Sequence, residues 1–89
     1  MLFRSIGSGA FQHASLSEIT LPSSISRIGE NAFYNCSNLT KVNIKGNRVD
    51  LGESIFYNCS ALTTVEMPGA TTIPGYAFRR CSNLTTLTR

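Results

Sequence analysis

Histidine and aspartate are almost missing from this chain: His13 and Asp50 stand alone beside four glutamates. The groups that most often carry general acid–base chemistry are therefore scarce. Tryptophan is absent. No apolar run approaches the roughly 18 residues of a membrane span, which argues against membrane insertion. The opening MLFRSIGSGAF has three apolar residues before an arginine, too few for the core of a secretory leader, so the chain as written is expected to stay in the cytosol. The three cysteines form no C-x-x-C pair, which leaves no zinc spacing. The net charge of +3 and pI near 9.0 come from scattered basic residues. Only Arg79 and Arg80 are adjacent, while Lys41, Lys45 and Arg48 are merely close. A nucleic-acid surface wants a denser basic stripe with interleaved aromatics, so no nucleic-acid partner is expected.

What is present is repetition. Ala32-Phe33-Tyr34-Asn35-Cys36-Ser37-Asn38-Leu39 is followed by Ile55-Phe56-Tyr57-Asn58-Cys59-Ser60-Ala61-Leu62 and by Ala77-Phe78-Arg79-Arg80-Cys81-Ser82-Asn83-Leu84. Ala10-Phe11-Gln12-His13-Ala14-Ser15-Leu16 precedes them, one residue shorter. The anchors Phe11, Phe33, Phe56 and Phe78 are 22, 23 and 22 residues apart. That period falls within the roughly 20–29 residues of leucine-rich repeats.

Each unit opens with an apolar alternation: Leu16-x-x-Ile19-x-Leu21, Leu39-x-x-Val42-x-Ile44, Leu62-x-x-Val65-x-Met67, and a last Leu84-x-x-Leu87. Period two with β-branched residues predicts a short, half-buried strand. Pro22 and Pro68 end it in the first and third units, and Lys45-Gly46 takes that place in the second. A polar connector follows, pinned by Ile25 and Ile28, by Val49 and Leu51, and by Ile73. Gly29, Gly52 and Gly75 are expected to serve turns after these pins. Ala32, Phe33, Cys36 and Leu39 then fall at i, i+1, i+4 and i+7, which predicts a short helical turn; Ile55, Phe56, Cys59, Leu62 and Ala77, Phe78, Cys81, Leu84 repeat it.

None of these pieces can bury its apolar side alone, but stacked units can. The expected fold is α/β: a leucine-rich repeat solenoid of about four rungs, short parallel strands on one face and short helical turns on the other. One array would fill residues 1–89, as a partial repeat 1–15, repeats 16–38, 39–61 and 62–83, and a partial repeat 84–89. Phe3-Arg4-Ser5-Ile6-Gly7 aligns with Ile25-Ser26-Arg27-Ile28-Gly29, so Met1 falls midway through a unit and Arg89 within a fourth strand. The expectation is a fragment of a longer array, whose uncapped strand edges invite self-association.

The pattern L-x-x-[VI]-x-[ILM]-P-x-x-I-x-x-I-G-x-x-A-F-x-x-C-S-x-L resembles the BspA-like class of leucine-rich repeats from Phe3 to Leu87. The I-G-x-x-A-F-x-x-C-S-x-L segment is its distinctive part. The resemblance implies a curved solenoid of the surface-antigen type, secreted or at a cell surface, used for adhesion or protein contact. Departures are Ala14 in the cysteine column, Lys45 for proline, Leu51 for isoleucine and Pro74 for glycine.

Cys36, Cys59 and Cys81 share one column, where side chains point the same way and are poorly aimed for a disulfide. They read as buried, reduced, small hydrophobes. His13 falls in a polar column with Asn35, Asn58 and Arg80 and lacks the orienting groups of a nucleophile pair. No catalytic, metal or cofactor site is expected. Asn35, Asn38, Asn58 and Asn83 open Asn-x-Ser/Thr triplets, but these ride on the repeat, and they would accept glycans only in a secreted context. The outward strand positions, Glu18, Thr20, Lys41, Asn43, Thr64, Glu66, Thr86 and Thr88, are the candidate protein-binding residues of the concave face. Tyr34 and Tyr57 offer a second candidate on the other side. The reading is a non-catalytic binding or adhesion module for a protein ligand. The alternatives are an intracellular scaffold for protein–protein contacts and a truncated piece without independent function.

Overall fold

The computed structural model describes residues 4–70 and 72–88; Met1 and Arg89, the outer limits of the expected array, and Phe3, where the resemblance begins, lie outside them. Strands β1 (Ser5–Ile6), β2 (Glu18–Leu21), β3 (Arg27–Ile28), β4 (Lys41–Ile44), β5 (Asp50–Leu51), β6 (Thr64–Glu66) and β7 (Thr86–Thr88) stack as a solenoid of about four rungs. All pairings are parallel. In the four-stranded sheet the order is β2-β4-β6-β7, and the alternation read from the sequence sets its register: Ile19 pairs with Val42, Val42 with Val65, and Val65 with Leu87. Val42, Ile44, Val65 and Met67 are fully buried, so a slip of one residue would turn this set out to water.

The connectors are more regular than the sequence suggests. Ser5 and Ile6 pair with Arg27 and Ile28, which pair with Asp50 and Leu51, making a second sheet in the order β1-β3-β5. Gly29 and Gly52 act by having no side chain rather than by the open backbone angles expected of them. Neither Gly29 nor Gly52 has a left-handed φ, but a methyl carbon on Gly29 would stand 2.6 Å from Ser8 N, and one on Gly52 2.5 Å from the carbonyl carbon of Gly29. The rungs can approach only where Cβ is absent. The amides of Gly29 and Gly52 donate to Ile6 and Ile28 of the rung before, at 2.7 Å each. Pro74 holds the next place in that column and has no N–H to offer; among the described residues no strand follows β5 in this sheet, and an isolated parallel bridge from Val49 to Ala70 joins the connector to the fourth rung.

The short helical turns are not found: among the described residues there is no helix. In the segment around Phe33, the amides of Ala32, Tyr34 and Cys36 close turns onto Gly29, Asn31 and Phe33. The alternate amides of Asn31, Phe33 and Asn35 instead donate to Glu53, Ile55 and Tyr57 of the next rung, at 3.0, 2.9 and 2.7 Å. A helix would turn every amide back on its own chain. Two left-handed residues per rung make the alternation geometrically possible: Asn31 and Asn35, then Ser54 and Asn58, then Tyr76 and Arg80, with φ between 56° and 65°. Spacing i, i+4, i+7 was thus a true signal of one buried face and a false one of helix.

That face is the core. Phe11, Phe33, Phe56 and Phe78 stack ring on ring along the axis, with centroids 5.3, 5.5 and 5.5 Å apart and planes within 14°. Each such pair adds about 0.5–1.5 kcal/mol beyond the area it buries. Leu39, Leu62, Ile55 and Ala32 close the layers on either side.

Candidate functional site

The eight outward residues of the four-stranded sheet form two columns. Glu18, Lys41, Thr64 and Thr86 are neighbours in register, and so are Thr20, Asn43, Glu66 and Thr88. Glu18, Thr20, Lys41, Thr86 and Thr88 are exposed, whereas Asn43, Thr64 and Glu66 in the middle are half-buried. Period two puts them on one face, because Ile19, Val42 and Val65 between them point into the core. The face carries two carboxylates, one ammonium, and hydroxyl and amide groups, and no aromatic ring. Such a surface can exchange hydrogen bonds and local charge pairs with a partner; it holds no nucleophile activated by a base.

Three side-chain ladders that sequence reasoning did not assign tie the rungs together, the first beside this face and the other two on the turn side. The first is Ser17, Thr40, Thr63 and Thr85, one residue after each leucine. The hydroxyls of Thr40, Thr63 and Thr85 donate to the carbonyls of Ser17, Thr40 and Thr63, at 2.9, 3.1 and 3.3 Å. The second is the cysteine column. The thiols of Cys36, Cys59 and Cys81 donate to the carbonyls of Phe11, Phe33 and Phe56, at 3.1, 3.0 and 3.0 Å. These cysteines are free, as their column implied, but they are donors as well as small hydrophobes. Burial pushes all three thiols up, Cys59 to about 12, which removes the thiolate a nucleophile would need.

The third ladder runs through the polar column. Asn58 donates its amide to Asn35 Oδ1, and Asn35 Nδ2 lies 2.9 Å from His13 Nδ1. All four members, Arg80 included, have left-handed backbones, which asparagine tolerates better than most residues. The sequence signal was there: asparagine repeated exactly where a helix would disfavour it. Asn83 spends its amide on the Ser60 carbonyl at 2.8 Å, so three of the four Asn-x-Ser/Thr side chains serve the stack. On the turn side, Tyr34 and Tyr57 stack at 5.0 Å with planes 3° apart, and the ring of His13 meets Tyr34 edge-on at 6.0 Å. Their faces are turned along the axis and are used against each other. Among the described residues no group of three or more His, Cys, Asp or Glu side chains is placed to hold a metal.

A family model for the BspA type leucine rich repeat region matches residues 3–89, in six copies. Among solved structures, the chain is similar to the 1.80 Å crystal structure of a leucine rich cell surface protein from Faecalibacterium prausnitzii A2-165, with a TM-score of 0.56 and 25% identity over 96% of this chain. The chain spans 29% of that protein's chain. No curated protein matches it.

Proposed function

The chain belongs to the BspA-type leucine-rich repeat family, and from that premise we propose that it is a non-catalytic protein-binding or adhesion module of a surface protein. The observation that carries the reading is the solvent face of the four-stranded sheet. Eight polar side chains there stand in two columns on strands held in register and bonded rung to rung. A face ordered before contact loses little conformational entropy on binding. The similar structure is a cell surface protein, which supports placing this module at a surface.

The test is bead adhesion to a panel of fibronectin, laminin and fibrinogen. The charge-reversed double variant Lys41→Glu, Glu66→Lys alters the face, and Arg48→Glu alters an exposed connector. Binding to a panel member that falls at least tenfold in the double variant and holds in Arg48→Glu is the expected result. Equal behaviour of the two variants, with unchanged circular dichroism, refutes the assignment of the face.

An intracellular scaffold is the second reading, favoured by three free thiols. Fractionation of the native cells with an antibody to the chain separates the two, since a surface module is reached by protease on intact cells and a scaffold is not.

A further inference from the structure

We propose that Tyr76, Arg79 and Arg80 form a second contact site, on the turn edge of the fourth rung, for an acidic segment of a partner protein. Tyr76 stands in the first left-handed column, whose other members are Gly9, Asn31 and Ser54. Those three are small or hydrogen-bond locally, and suit φ near 60°; a bulky side chain there is an outlier. Its φ is nevertheless 59°. Nothing in the core explains the choice, because Tyr76 is 59% exposed, the most exposed large apolar residue described. Backbone strain kept at an exposed position points to use rather than packing.

The surroundings specify the partner. The Arg79 guanidinium lies 4.9 Å from the centroid of the Tyr76 ring and braces it from one side. Arg80 is adjacent and exposed. The turn segments of the four rungs, residues 9–15, 31–38, 54–61 and 76–83, contain no Asp or Glu, and their charged or titratable cations are His13, Arg79 and Arg80. Glu30 and Glu53 stop one residue before this strip, and Gly75 takes their column in the fourth rung. A guanidinium fork matches a carboxylate with two parallel hydrogen bonds, and tyrosine and arginine are the side chains on which protein contacts most often depend. Carboxylate side chains match the guanidinium forks and apolar neighbours match the exposed ring, so the observations favour a carboxylate-bearing peptide with apolar neighbours over an anionic polysaccharide.

The test is fluorescence anisotropy with a labelled octapeptide of alternating glutamate and leucine, titrated with the whole chain at low salt. Saturable binding is expected, weakened at least tenfold by the double variant Arg79→Gln, Arg80→Gln, weakened as much by Tyr76→Asn, and unchanged by Arg48→Glu on an exposed connector outside both sites. Tyr76→Asn should at the same time raise the melting temperature, since asparagine fits the left-handed position that Asn31 already holds. A more stable variant that binds less is the signature of a strained contact residue. Absence of saturable binding in the wild type, retention of binding by Tyr76→Asn, or a melting temperature that does not rise would each overturn the proposal. So would binding of heparin without binding of the peptide, which would assign the site to a polysaccharide.

Discussion

Replacing Gly52 by alanine isolates what sets the distance between rungs. Gly52 has an ordinary φ, so the added methyl carries no conformational penalty of its own. It would collide with Glu30 N and stand 2.5 Å from Gly29 C and 2.6 Å from Glu30 Cα, all backbone atoms that cannot rotate away. Restoring ordinary contact requires the second and third rungs to part by about 1 Å, since van der Waals attraction is optimal near 3.5–4.0 Å. The local hydrogen bonds Asp50 N to Ser26 O, Gly52 N to Ile28 O and Asn31 N to Glu53 O, now 2.9, 2.7 and 3.0 Å, would then stretch beyond useful range. At about 1 kcal/mol net each, the loss is about 3 kcal/mol. That corresponds to a melting point lower by roughly 12–24 °C in a domain of this size. Gly7 is the matched control: it holds the same column in the first rung, and a methyl there meets no described atom within 4 Å. Gly7→Ala should change stability by no more than about 0.5 kcal/mol, the range of ordinary surface substitutions. The assay is urea unfolding of both variants followed by circular dichroism. Equal stabilities would refute the argument that missing Cβ atoms set the rung spacing.

The asparagine ladder and the thiol column make their own predictions. Asn58→Ala loses the bond to Asn35 and leaves alanine at φ 60°, whereas Asn58→Gly loses only the bond. Alanine should be the less stable by about 1 kcal/mol in urea titration, and parity would mean that the backbone does not select asparagine there. For Cys59, burial raises the folded-state pKa from 9.0 to about 12. The unfolded thiol ionises first, so its contribution is fully present below about pH 9 and is lost as pH rises toward 12. The urea midpoint should fall across that window, and less steeply in Cys59→Ala; identical slopes would remove the thiol from the account.

How far the sequence led can be traced residue by residue. Ile19, Val42 and Val65 were legible as strand centres because one side of each strand is buried and the other wet, and period two records that difference directly; Leu87 keeps the period and the register, but on the last strand it is exposed. The second sheet was not legible, since its strands are two residues long and present a single inward side chain each, Ile6, Ile28 and Leu51. Two residues cannot display a period. The helical expectation failed because Ala32, Phe33, Cys36 and Leu39 are buried for a reason unrelated to a 3.6-residue turn. Consecutive left-handed turns bring the same positions inward, and only the asparagines at 31, 35 and 58 betray the backbone that does so. Of the candidate site, the sequence placed the eight sheet residues on one face. It could not show Tyr76 as unusual, because a tyrosine is unremarkable until its φ is known.

In a stack of like rungs, identity down a column and departure from it carry different weight. Phenylalanine in all four rungs, or cysteine in three, reports what packing and the carbonyl ladder demand. On the sheet face, the column Glu18, Lys41, Thr64 and Thr86 changes from carboxylate to ammonium to hydroxyl, yet the fold loses nothing by it, because each lies on the outward side of the same extended backbone. Variation without cost leaves the face free to be shaped by a partner, a use the adhesion assay tests. Tyr76 is different in kind: Asn or Gly would serve the fold better at its φ, and the chain instead keeps an exposed aromatic ring braced by Arg79. A departure that costs stability needs a compensating use. By that reasoning the fourth rung's turn edge has the stronger claim to function of the two surfaces, and the paired gain in melting temperature and loss of peptide binding in Tyr76→Asn measures the claim directly.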